Sequence, residues 1–376
     1  MSSNPSDNDA LLSIKPILAR FLIDGDVQIA PYGSGHIHDT YHVEVANDTT
    51  PASYIIQRIN SIVFKRIPEL IDNMRRVTLH IRNKFQERQD PDVARCTLRM
   101  RTTEDGNYFY LDNAGNYWRV CDFIPDALTY DVVLDAQHAY EAGRAFAQFQ
   151  MLLTDLPPPP LIETIPLFHH TPSRFAALEE AASLNSSDRV EGCAADIDFA
   201  MSRRDMIDVV SSELENGILP LRTTHNDTKI NNVLIDNDSR RAVCVIDLDT
   251  VMPGSVLYDF GDQVRTTAGQ FAENETDHSK VVVNLEVYEQ LAKGYLSVAN
   301  EFLVDREIEL LPFSGRLMTF TIGIRFLADY LDGDLYFKTS YPEENLDRAR
   351  AQFAFVRSIE ENIDAMEKII ARYTAA

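Results

Sequence analysis

Cysteine is scarce and scattered in this chain. The four residues, Cys96, Cys121, Cys193 and Cys244, form no Cys-x-x-Cys pair and no spacing that suits a metal. The pattern excludes a disulfide framework and a zinc module, and fits a reducing cytoplasm. Positive charge is also short: 35 Lys+Arg stand against 58 Asp+Glu, for a formal net charge of −23. A surface of that sign repels nucleic acid and anionic membranes, so neither is expected as a partner. No apolar run approaches the length of a membrane span. The N-terminal MSSNPSDNDA lacks a basic segment followed by an apolar core, so it does not read as a signal peptide. No repeat recurs at a fixed period, and the only low-complexity patch, Pro157 to Pro160, reads as a stiff connector. What is left is a globular composition, 45% hydrophobic and 25% charged, in 376 residues. That is enough chain for two packed lobes.

The richest stretch runs from Thr224 to Asp249, THNDTKINNVLIDNDSRRAVCVIDLD. It contains His225-x-Asp227-x4-Asn232, the spacing of the protein-kinase catalytic loop, in which the Asp accepts the substrate hydroxyl proton and the Asn holds Mg²⁺. By itself the loop reads equally as turn chemistry. An apolar run, Ala242 to Ile246, then delivers Asp247 fifteen positions after Asn232. A carboxylate at the mouth of a buried strand supplies the second metal ligand that phosphoryl transfer needs, because catalysis there is positioning and charge neutralisation. Asn232 and Asp247 are therefore the expected Mg²⁺ ligands and Asp227 the expected base. The literal tripeptide Asp259-Phe260-Gly261 lies 32 positions after Asp227 with no strand-like run before it. Asp259 is expected to be structural, bonding back to the loop. Asp249 reads as a second metal ligand or a loop acid, the latter preferred.

The remaining pattern is β-rich, then helical. Strand-like runs cover Val27 to Tyr32, Thr40 to Val45 and Tyr54 to Ile59, with turns at Gly33-Ser34-Gly35-His36 and Asn47-Asp48. Pro68 opens a helix to about Phe85, with Ile71, Met74, Thr78 and Ile81 on one face. Runs at Cys96 to Arg101, Tyr108 to Leu111 and Tyr117 to Ile124 follow. Helices are expected from Leu134, at Met201 to Glu215, Val287 to Phe302, Leu317 to Leu331 and Asn345 to Tyr373. The fold class is α+β: a two-lobe, protein-kinase-like fold with a five-stranded antiparallel sheet in residues 1–124 and a mainly helical lobe in residues 125–376. The nucleotide site is expected at the lobe boundary, against Cys121 and Phe123 and under the Gly33–Gly35 turn, whose backbone can approach phosphates closely.

With these parts in order, the chain resembles the aminoglycoside phosphotransferase/choline kinase superfamily. Within it, the chain is similar to the bacterial N-acetylhexosamine 1-kinases. The resembling stretches are PYGSGHIHDTY (31–41), YIIQRIN (54–60), WRVCDFI (118–124), ETIPLFHHTPSRF (163–175), THNDTKINNVL (224–234), VIDLDTVMPGSVLYDFGDQVR (245–265) and GIRFLADYLDGDLYF (323–337). The resemblance implies ATP- and Mg²⁺-dependent phosphorylation of the anomeric hydroxyl of N-acetylglucosamine or N-acetylgalactosamine. It implies that His36, Arg325 and Tyr336 join Asp227 around the sugar, and that His169 and His170 are wall residues of the sugar pocket. Lys229 stands where kinases place a lysine that touches the γ-phosphate.

One position departs from the kinase pattern. The strand that should present a lysine to the phosphates carries Gln57, which can still donate a neutral hydrogen bond to the nucleotide, with Arg58 beside it. Neighbouring strand residues point to opposite faces, so the two cannot share the role, and a helix glutamate such as Glu69 loses its expected partner. Two other readings stand beside the sugar kinase: a kinase of another small alcohol (a different sugar, an aminoglycoside or a choline-like amine), and an inactive nucleotide-binding protein on the same fold. Composition leaves the oligomeric state open.

Overall fold

The computed structural model describes residues 14–33, 37–46 and 52–374. Two compact units emerge: residues 1–127 with 156–165, and residues 128–155 with 166–376. Among the described residues no helix is long and apolar enough to cross a membrane.

The first unit is built on a five-stranded antiparallel sheet. Helix α1 (residues 14–20) precedes β1 (Asp26–Pro31), β2 (Asp39–Ala46) and β3 (Ala52–Ile59). Helix α2 (Ile67–Glu87) comes next, then β4 (Tyr110–Leu111) and β5 (Tyr117–Asp122), and the sheet order is β1-β2-β3-β5-β4. Alternation decides the two faces. Val43, Val45, Ile56, Trp118 and Val120 fall on one face, where Ile14, Ile17, Leu18 and Phe21 from α1 and the turn after it cover them. Each such buried aliphatic contributes about 1.5–3 kcal/mol. Pro68 sits at the start of α2, and Leu70, Ile71, Met74, Val77 and Ile81 make its buried stripe. Asn73 on α2 ties down the segment 156–165 by a paired bond to the Ile162 backbone, donating to its carbonyl at 2.7 Å and accepting its N–H at 3.0 Å. The turn Asn47-Asp48 lies outside the described residues.

The run Cys96–Arg101, expected as a strand, is not one. Only Met100 bridges β5, at Cys121, flanked by Arg101 N–H to Val120 O and Asp122 N–H to Arg99 O, each 2.8 Å. β4 pairs with β5 only at Tyr117 and Trp118, so the rest of that edge is free for this segment. Arg99 and Arg101 then turn to the Asp122 carboxylate, and the pairing goes no further.

A two-residue strand β6 (Ala127–Leu128) marks the passage into the second unit. There α3 (Ala136–Leu152), α4 (Thr171–Leu184), α5 (Ala194–Met201) and α6 (Val209–Glu215) precede the short strands β7 (Arg222–Thr224), β8 (Val233–Asp236), β9 (Ala242–Val245) and β10 (Met252–Gly254). α7 (Val256–Gln263), α8 (Leu285–Ala299), α9 (Asp305–Asp332) and α10 (Glu344–Thr374) complete it around a core of Phe260, Tyr288, Tyr295, Phe320, Phe353 and Phe355. Two sequence expectations need correction. The helix expected over Met201–Glu215 is broken: Ser202 bonds back to Phe199 O at 2.8 Å, and Arg203 is drawn out to Glu360 at 2.7 Å. And α4 was not foreseen, although His170 caps it by accepting Ser173 N–H and a proline stands in its first turn. His170 thus serves as a helix cap.

Candidate active site

The loop from His225 to Asn232 is held from below by α7. The Asp259 carboxylate accepts the His225 N–H at 2.9 Å and the Asn226 N–H at 2.7 Å, and the Gln150 amide at 2.7 Å. The Thr228 hydroxyl donates to the Asp259 carbonyl at 2.6 Å, and the Thr228 N–H to Asp262 at 3.2 Å. Asp259 and Asp262, one helical turn apart, therefore anchor three residues of the loop, His225, Asn226 and Thr228. Asp259 is fully buried. Burial pushes its carboxyl up, more strongly than His225 and the donors around it pull it down. The tripeptide Asp259-Phe260-Gly261 has a packing explanation throughout. Phe260 is core, and a side chain at Gly261 would collide with the Ser314 carbonyl of α9.

The loop takes one left-handed residue, Asn226 at φ 64°, a conformation that Asn tolerates. Its amide donates to the Thr224 and Thr250 carbonyls at 3.2 and 3.0 Å. His225 lies edge-on to Phe146 and Phe149. Its Nε2 is 2.9 Å from the Ile246 carbonyl, and its Nδ1 accepts the Asp227 N–H at 3.2 Å. A single proton on Nε2 satisfies both. His225 thus joins the loop to the end of β9.

Asp227 projects from this frame with its side chain 21% exposed, its Oδ1 3.2 Å from Lys229 Nζ. The Asn232 amide nitrogen donates to the Asp227 carbonyl at 2.8 Å and to Oδ2 at 3.2 Å. Burial raises the Asp227 carboxyl, but the Lys229 ammonium and His225 outweigh it and hold it below the usual carboxylate range; Asp227 in turn raises Lys229. With its nitrogen engaged, Asn232 has its oxygen left to face a ligand. The Ile246 N–H bonds the Asn232 carbonyl at 2.9 Å, so the next residue, Asp247, leaves β9 beside Asn232. Asp247 is exposed, in a left-handed turn at φ 58°, whereas Asp249 is only 2% exposed. Amide and carboxylate oxygens are the hard donors that Mg²⁺ takes. Among the described residues no group of three or more His, Cys, Asp or Glu could hold a metal. Two protein oxygens suit a cation whose other ligands are phosphate and water.

His169 is buried against the same loop, its Nε2 2.8 Å from the Asn226 carbonyl and its Nδ1 without a partner among the described residues. Burial lowers it to about 4, so it is neutral at pH 7. Arg325 from α9 faces the rings of Phe168, Tyr336 and Phe337 at 5.5–5.9 Å. Among the described residues it has no ion pair. Asp329 stands four residues on, at helical spacing, but its carboxylate accepts the Tyr336 and Phe337 N–H groups and the Asn345 amide. Burial, with Arg174 adding to it, lowers Arg325 to about 10, which leaves it charged at pH 7.

In the first unit, Gly33 has φ 80°, and Ser34, Gly35 and His36 lie outside the described residues. Gln57 faces the side of the sheet opposite α1. It donates to Thr40 Oγ1 at 3.0 Å and accepts from Arg119 Nε at 2.9 Å. Phe123 lies 4.5 Å from the His42 ring and 5.9 Å from Tyr32. Arg58 points the other way and pairs with Asp39, and Glu69 pairs with Arg66. Sequence reasoning missed Asp262, Gln150 and Arg119. Asp262 was findable as the acid one turn beyond Asp259. The other two are contacts made at a distance in the chain.

The profile of the phosphotransferase enzyme family (APH) matches residues 28–292, more than half of the chain. The chain belongs to that family. Similar solved structures include a microcompartment-associated aminopropanol kinase, at TM-score 0.62 and 15% identity over 95% of this chain and 98% of that one. An ethanolamine kinase of Plasmodium vivax has TM-score 0.52 and 15% identity over 87% and 82%. A spectinomycin phosphotransferase, solved with ADP and spectinomycin, has TM-score 0.51 and 16% identity over 95% and 98%. At such identities the likeness shows the fold, which is kinase-like. Family membership makes the protein a phosphotransferase.

Proposed function

We propose that this phosphotransferase is an ATP- and Mg²⁺-dependent kinase that phosphorylates the anomeric C1 hydroxyl of N-acetylhexosamines. Asp227 accepts the hydroxyl proton, and its depressed carboxyl keeps it ionised for that task. Lys229 stabilises charge on the transferred group. Asn232 and Asp247 would hold Mg²⁺, which when bound neutralises charge on the phosphates. The nucleotide belongs to the sheet face carrying Gln57, Cys121 and Phe123, with the Gly33–Gly35 turn over its phosphates. Arg325, Tyr336 and His36 hold the sugar.

The observation that carries the choice of acceptor is Arg325, which lacks a carboxylate partner among the described residues and is ringed by Phe168, Tyr336 and Phe337. An acceptor amine about 5 Å from such a cation is opposed by about 3 kcal/mol at an effective dielectric of 20. A neutral sugar meets no such cost and can accept a hydrogen bond from the guanidinium, gaining about 1.5–3 kcal/mol. The balance of these terms favours an uncharged polyol over an amino alcohol by orders of magnitude. A substrate panel read by ATP consumption tests it: turnover of N-acetylglucosamine or N-acetylgalactosamine is expected, and turnover of choline, ethanolamine or an aminoglycoside in their place rejects it.

A further inference from the structure

The sheet face opposite α1 is laid out as a grid by the strand register. Thr40 pairs with Gln57 and Gln57 with Arg119; one row on, His42 pairs with Ile55 and Ile55 with Cys121; a row further, Phe123 N–H bonds Ser53 O at 3.0 Å. Residues directly opposite one another share a face. The Phe123 end is aromatic, with His42 and Tyr32 against it. The Arg119 end is cationic. Phe123 stands four residue steps beyond Arg119, roughly 13 Å at ~3.3 Å each, about the span from the base to the outer phosphates of a nucleotide. The Thr40 row is also the end at which Tyr32, just past β1, bonds Thr40 O through its N–H at 2.9 Å. Arg119 is only 2% exposed, and its guanidinium is aimed by Gln57 Oε1 at 2.9 Å, with Met74 Sδ of α2 at 3.5 Å. Gln57 is aimed in turn by Thr40.

Resting on the nucleotide dependence proposed above, we infer that Arg119 binds the nucleotide's phosphates in place of the strand lysine missing at position 57, with Gln57 as its positioning residue. The cation has moved one strand sideways within the same row, so the face keeps its positive charge at the same distance from the aromatic end. Guanidinium forks match phosphate oxygens, which makes the exchange chemically sound.

Binding of ADP and of adenosine to the full-length protein, without Mg²⁺, tests this. Arg119→Gln is expected to weaken ADP about 10- to 100-fold, the effect of losing a charge-assisted bond, with adenosine affinity held and the melting temperature lowered by loss of the buried bond to Gln57. The double variant Gln57→Lys/Arg119→Gln restores the lysine and recovers most of the ADP affinity. An Arg119→Gln protein that binds ADP as tightly as wild type overturns the inference, as does an equal loss of ADP and adenosine. So does a double variant that recovers nothing. Wild type gives a reading that needs no folded variant: the Arg119 Nε–H signal in ¹⁵N spectra shifts with ADP and not with adenosine, and an unmoved signal contradicts the assignment. Wild type that binds neither compound fails the functional reading itself, whereas normal wild-type binding with an unaltered variant fails Arg119 alone.

Discussion

Replacing Asp259 by Asn separates scaffolding from chemistry in the Asp259-Phe260-Gly261 tripeptide. Oδ2 receives the His225 N–H and the Gln150 amide, and Oδ1 the Asn226 N–H. An Asn must place its NH₂ on one side. The less costly choice gives up the Asn226 bond and turns one N–H toward another. Losing a bond to a charged acceptor costs about 1.5–3 kcal/mol, and a buried unsatisfied N–H about 1–3 more. Relief of a buried carboxylate offsets part of this, since burial is the leading influence on Asp259. The net expectation is a loss of roughly 2–3 kcal/mol, or about 4–10 °C in Tm for a unit of this size. The assay pairs thermal unfolding with a Mg²⁺ titration of initial rate. A lowered Tm with an unmoved Mg²⁺ midpoint is the predicted result. An unchanged Tm with a shifted midpoint would refute the reasoning and move the metal to α7.

Asp227→Asn keeps the shape but cannot accept the hydroxyl proton. Its kcat should fall about 10²–10⁴-fold with KM little changed, as steady-state kinetics will read. Asp247→Asn removes a charged oxygen donor on an exposed turn, so the Mg²⁺ midpoint should rise, high Mg²⁺ should restore part of the rate, and Tm should hardly move. His169 makes stability pH-dependent. Its folded pKa of about 4 lies below the unfolded 6.5, so the unfolded chain binds more protons between those values. Its stabilising contribution is therefore complete above pH 6.5 and is lost as pH falls toward 4. The full loss is about 3 kcal/mol, from 2.5 units at 1.36 kcal/mol each. Denaturant unfolding at pH 7 and pH 4.5 should show a smaller acid loss for His169→Gln than for wild type; equal losses would contradict it.

Where local pattern decides structure, the sequence was readable. Helical periodicity located α2, α8 and α10, since each buries one regular stripe, and alternation located β1, β2 and β3. The loop and the end of β9 could be aligned because their chemistry depends on spacing along one stretch. The failures have a common cause in partners distant in the chain. Cys96–Arg101 has strand-like residues, but the short β4 and the Asp122 carboxylate decide its pairing. Met201–Glu215 has helical propensity, but Glu360 draws Arg203 out of it. Arg119 lies between the apolar Trp118 and Val120 in β5, and only the register of β3 against β5 sets it beside Gln57. Arg325 carried an apparent partner at the helical spacing, and the loop after α9 claimed that partner first.

The central claim is the identity of the acceptor oxygen, and ³¹P NMR of the product formed from N-acetylglucosamine, ATP and Mg²⁺ addresses it directly. The prediction is a sugar phosphate whose phosphorus couples to the single anomeric proton, lost in the Asp227→Asn protein. A phosphorus coupled to the two C6 protons, or ATP turnover that yields no sugar phosphate while an amino alcohol is phosphorylated, would contradict it.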